Sequence, residues 1–162
     1  MPTAIDYLST YLQDHRAGAE MGATLVARLR DENVDTPYED FLTLLAQEIE
    51  EDVKTLEHVM DRFGVEKSLL KTTGAKVGEK LARLKPNEQL TGYSPLSRVL
   101  ELEGLRSGVQ GKLALWDALY ELSETDDRLA REELRQLVER AEAQLTGLRK
   151  TQRRAAREAF AS

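Results

Sequence analysis

Two histidines, His15 and His58, and no cysteine make up the whole stock of nitrogen and sulfur metal ligands in this 162-residue chain. The missing cysteine removes thiolate nucleophiles, CxxC redox chemistry, iron–sulfur clusters, sulfur-based zinc sites and disulfides. Metal binding or acid–base work therefore falls to imidazole and carboxylate. Leu12 stands three residues before His15 and Thr55 three before His58, so neither histidine has a carboxylate at that position, one helical turn before it. At 100° per residue His58 lies about 180° from Ile49, on a solvated face with Glu51 and Lys54. His15 lies about 60° from Leu12, beside a buried stripe.

Four further polar residues fall on or beside apolar stripes: Glu48 and Asp52, then Arg106, then Gln144. With His15 they sit within about one turn of the midpoints of four predicted helices, which predicts one mid-bundle layer. The layer has two main readings. As a buried polar network, Arg106 satisfies the carboxylates through forked hydrogen bonds and Gln144 completes the pairing. As a reduced ligand set, His15, Glu48 and Asp52 hold one zinc, manganese or iron ion, against the positive charge of Arg106. A small anion held by Arg106 and His15 is a third use. Glu101 and Glu133 are the other acids near inner faces, one to two turns from the layer and toward opposite ends.

The elements that must position these residues are helices. Prolines at 2, 37, 86 and 95 leave long proline-free stretches rich in Leu, Ala, Glu, Arg and Lys. Thr36-Pro37-Tyr38-Glu39 and Ser94-Pro95 are start signals, with weaker ones at Thr3…Asp6 and Thr125-Asp126-Asp127. They predict helices at about 3–31, 37–63, 94–122 and 125–158. Apolar stripes run Ile5-Leu8-Leu12-Ala19-Ala23-Val26, Leu42-Leu45-Ile49-Val53-Leu56-Met60-Phe63, Val99-Leu102-Val109-Leu113-Trp116-Tyr120 and Ala130-Leu134-Leu137-Ala141-Leu148-Ala155. Helices on the order of 40–50 Å long must lie side by side. Short connections make helices 1–2 and 3–4 antiparallel hairpins, while residues 65–93 are long enough to travel the bundle. The order is then up-down-down-up in a single all-α domain spanning 1–162, with a partly helical crossover carrying six Lys or Arg from Lys67 to Lys85.

The stretches DHRAGAEMGATL, EIEEDVKTLEHV and LELEGLRSGVQGKLALW resemble a bacterial branch of the ferritin-like superfamily. That resemblance implies a ferritin-like four-helix bundle. Di-iron members supply a Glu from two helices and a Glu-x-x-His from the other two, a pattern absent here. The expected function is a non-catalytic binding or protein-interaction module with no cofactor. The alternative is an iron- or manganese-binding oxidase or iron-handling protein with an altered site.

Other features narrow the partners. With 29 Asp+Glu against 23 Lys+Arg the net charge is −6, and the basic run Arg149, Lys150, Arg153, Arg154, Arg157 suits a helix C-terminus. Without aromatic interleaving, nucleic acid is not expected. No apolar run nears the ~18 residues of a membrane span and MPTAIDYLST lacks signal-peptide character, so the expected location is cytoplasmic. Gly104, Gly108 and Gly111, with Gly18 and Gly22, call for some close approach, by the crossover or by a second subunit of a homodimer.

Overall fold

The structure, a computed structural model, describes residues 1–67 and 92–161. The crossover, with its expected helical character, falls largely outside the described residues. Those described form four helices and no strand: α1 (Ala4–Asp31), α2 (Glu39–Arg62), α3 (Pro95–Leu122) and α4 (Arg131–Phe160). None of them is long and apolar enough to cross a membrane.

Two helix starts follow the sequence directly. The Thr3 hydroxyl accepts from the Asp6 N–H and the Asp6 carboxylate accepts from the Thr3 N–H at 2.7 Å, closing a capping box. Ser94 and Ser97 do the same for α3, with Pro95 at its first position.

The other two starts move. Helix α2 begins at Glu39, because Thr36 and Glu39 spend their side chains on the preceding turn: the Thr36 hydroxyl accepts from the Tyr38 N–H, and the Glu39 carboxylate accepts from the Asp35 N–H at 2.8 Å. Asp35 occupies the left-handed region there, at φ 59°. Helix α4 begins at Arg131 and not at 125. The Asp126 carboxylate accepts from the backbone N–H and guanidinium of Arg128, a local turn competing with the helix. Leu129 is buried beneath that turn and anchors the longer connection to the core.

Two apolar clusters fill the interior and fix the helix directions. One joins the C-terminal half of α1 (Leu25, Leu29) to the N-terminal halves of α2 (Leu42, Leu45) and α3 (Val99, Leu102) and to Leu148 and Ala155 of α4. The other joins Leu12 to Leu56 and Met60, to Trp116 and Leu119, and to Leu134 and Leu137. Helices α2 and α3 thus start at the same end and run parallel, as the long crossover requires, while α1 and α4 run the other way. Helix α1 packs against α2 and α3, and α4 against α3 and α2. Ile5, placed in the first stripe by its spacing, is exposed in the first turn of α1.

Among the described residues, a Cβ on Gly18, Gly22, Gly108 or Gly111 would meet nothing within 4 Å; the crossover expected beside them lies largely outside those residues. A close approach is seen at Gly147, where a Cβ would stand 2.5 Å from Cε2 of Phe41. Helix α4 takes a glycine there so that the Phe41 ring of α2 can lie against its backbone.

Candidate functional site

Midway along the bundle, between the two apolar clusters, a polar layer crosses from α2 to α3 and α4. The ammonium of Lys112 on α3 donates to Oδ2 of Asp52 on α2 and to Oε1 of Gln144 on α4, each at 2.5 Å. Arg140, one turn before Gln144, donates to the other oxygen of Asp52 and, at 3.1 Å, to Glu51. The Gln144 amide nitrogen donates to Glu48 at 2.8 Å. Its oxygen facing an ammonium and its nitrogen facing a carboxylate is the one orientation that satisfies both neighbours. The layer is built from two facing i,i+4 pairs, Glu48–Asp52 and Arg140–Gln144, with one lysine between them.

Asp52 and Gln144 are each 3% exposed, and the Lys112 side chain is 13% exposed. Burial pushes the Lys112 amine below the ordinary lysine range; the Asp52 carboxylate offsets this in part, and the Arg140 charge adds to it.

Three of the five residues expected in this layer are in it: Glu48, Asp52 and Gln144. Arg106 is not. It is exposed, and its guanidinium donates to Gln152 at 3.1 Å. The inward face of α3 runs Leu102-Leu105-Val109-Lys112-Trp116-Leu119, which places Arg106 to one side and brings Lys112 to the centre. His15 is half-buried beside the layer, its ring edge-on to Tyr11 with centroids 4.5 Å apart. Burial lowers its pKa against a smaller opposing effect of Asp14, which favours neutral imidazole. His58 is exposed, as its helical angle implies. Among the described residues no three His, Asp or Glu side chains converge as a metal site. The donor set at the layer does not fit a di-iron centre, because an ammonium and a guanidinium already fill the coordinating positions of Asp52.

Beside the layer lies a cleft of about 520 Å³ between α1, α2 and α3, into which His15, Asp52, Lys112 and Trp116 face with the open glycines Gly18, Gly22, Gly108 and Gly111 around them. Its volume falls within the roughly 300–1,000 Å³ of small-molecule sites.

Glu101 lies apart from the layer, toward the end where α3 starts. Its side chain is 1% exposed, with Nε of Arg28 at 3.1 Å from Oε1, yet among the described residues neither oxygen has a hydrogen-bond partner of good geometry. Burial raises its pKa above the ordinary 4.5, and Arg28 and the Tyr93 hydroxyl offset this only in part. Glu133, its counterpart in the sequence, is on the surface beside Arg62.

A raised carboxyl pKa means that the folded state holds the proton more tightly than the unfolded chain. The resulting stabilisation is complete below the unfolded value and is lost as pH rises through the folded one. Glu101→Gln should therefore gain on the wild type as pH rises from about 4.5 and level off above the folded pKa. Urea midpoints across that range measure it; a difference that stays flat with pH would show that Glu101 titrates normally.

Comparison with known protein families, with characterised proteins and with solved structures finds no match to this chain.

Proposed function

We propose that this chain is a ferritin-like bundle that acts by binding, not by metal redox chemistry. The observation that carries the reading is Lys112. Its ammonium lies between Asp52 and Gln144 at mid-bundle, the level where a metallated relative would gather carboxylates around cations. Together with Arg140 this fixed internal cation neutralises Asp52 and leaves a further cation little to gain there. Two antiparallel hairpins with α2 and α3 parallel support the ferritin-like part of the reading. The cleft flanking the layer supports the binding part.

Oxidising ferrous iron with dioxygen would require paired metals about 3.5–4 Å apart, held by bridging carboxylates. His15, Glu48 and Asp52 are not gathered that way, and Asp52 is already committed to Lys112 and Arg140. Protein purified without chelator should contain no stoichiometric iron, manganese or zinc by elemental analysis, and should consume no oxygen on adding ferrous iron. Two irons per chain, or oxygen uptake that His15→Ala abolishes, would overturn the reading in favour of an oxidase or iron-handling protein.

A further inference from the structure

We propose that the α1–α2–α3 cleft binds a small apolar monocarboxylate, with its carboxylate on the Lys112 ammonium and its hydrocarbon body along the glycine-bordered walls. This assignment rests on the reading of the chain as a binding module and names the ligand class.

The walls set the body of the ligand. Leu25, Ile49, Leu56, Leu105, Val109 and Leu115 line the cleft, an apolar surface that favours hydrocarbon over a sugar or nucleotide. The glycines set its room. In a helix interior each costs about 1 kcal/mol relative to alanine. Gly18, Gly22, Gly108 and Gly111 all border the cleft and have open space where a side chain would be. Nothing among the described residues packs against them in return; the space they leave is the cleft itself.

Lys112 sets the polar end. An ammonium has three N–H donors, and two are taken by Asp52 and Gln144. Asp52 pairs with both Lys112 and Arg140, Arg140 also pairs with Glu51, and Glu48 is held by the Gln144 amide, so each carboxylate of the layer already has its donors. Trp116, 1% exposed and also lining the cleft, has an indole N–H with no partner among the described residues. Among the groups facing the cleft, His15 is half-buried, Asp14 is exposed at the rim, and the Ser107 hydroxyl donates to the Glu103 carbonyl. The spare capacity is in donors, so the ligand's polar group must accept. An amine would have to displace Lys112 from Asp52, whereas a carboxylate completes the lysine's third bond with a charge-assisted one.

Trp116 is the chain's single tryptophan, so its emission reports on this cleft alone. Decanoate titrated into the full chain should shift or quench that emission saturably below its micellar range, with decanol weaker and decylamine without effect. Lys112→Met should weaken decanoate about tenfold or more while leaving decanol nearly unchanged. If that variant does not fold, Gly111→Leu provides a second route. A leucine there enters open space and favours the helix, so this variant should keep the fold and lose the decanoate response.

The proposal is overturned if decanoate produces no saturable change, if decanol binds as well as the acid, or if Gly111→Leu still responds. It is also overturned if Gly111→Leu lowers the mass seen by size exclusion, which would make the cleft a contact between two copies. Metal-free protein that ignores decanoate defeats only this assignment; protein that loads iron defeats the binding-module reading itself.

Discussion

Asp52→Leu should lower the free energy of unfolding by about 3–5 kcal/mol, measured by urea denaturation near neutral pH. Both oxygens of this carboxylate hold cations, and its removal leaves the Lys112 ammonium hydrogen-bonded to the neutral Gln144 oxygen, with the Glu48 charge beyond it as weaker compensation. Arg140 is less affected, since it is 28% exposed and keeps Glu51. Lys112 already has its pKa depressed by burial, and without Asp52 the depression deepens. A depressed amine pKa penalises the folded state while the lysine is protonated, so the deficit should shrink as pH rises through the folded value. Adding Lys112→Met to Asp52→Leu should recover most of the loss, because replacing a whole buried pair with apolar groups is far less costly than breaking it. A single-variant loss below about 1 kcal/mol would mean that the pair is hydrated and the layer contributes little.

The polar layer also shows where a sequence stops being readable. Glu48, Asp52 and Gln144 were legible because each flanks a strong, regular stripe whose phase admits one solution. Helix α3 has no such stripe. Val99, Leu102, Val109, Leu113 and Trp116 set one phase, with Arg106 inside it; Leu102, Leu105, Val109, Trp116 and Leu119 set another, with Lys112 inside it. Both are apolar enough to bury, and only the facing helices decide. The carboxylate of Asp52 and the oxygen of Gln144 satisfy an ammonium at that point, and the second phase wins; Leu113 is left half-buried.

The missed start of α4 has a similar cause. Thr125 and Asp126 are as good in a turn as at a cap, and a buried Leu129 near the end of the connection tips the balance. Gly147 lies against the Phe41 ring of α2, a contact that only the facing helix reveals.

Asn33 received no notice in the sequence, yet its replacement should rank with that of Asp52. It follows α1 in the tight connection to α2 and is fully buried. Its amide nitrogen donates to the Leu29 carbonyl at 2.6 Å and to the Tyr93 hydroxyl at 2.9 Å, while its amide oxygen accepts from Nε of Arg98 at 2.6 Å. One side chain thereby joins the end of α1, the residue leading into α3 and the first turn of α3. Arg98 in turn lies 4.6 Å over the Tyr38 ring, with its far nitrogen 3.7 Å from Glu158, so this end of all four helices closes on a single guanidinium. Asn33→Leu keeps the volume but removes all three bonds, leaving a guanidinium N–H, a carbonyl and a hydroxyl without their partner. The Arg98 side chain is only 16% exposed, so water replaces little of what is lost. Stranding buried polar groups costs about 1–3 kcal/mol each, and partial relaxation brings the expected total to about 2–4 kcal/mol. Combining Asn33→Leu with Arg98→Met separates the charged bond from the rest: a coupling above about 1 kcal/mol in the double-mutant cycle assigns the larger share to that pair. A single-variant loss below about 0.5 kcal/mol, the range of an ordinary surface change, would show that this end of the bundle is held by its apolar cluster and not by Asn33.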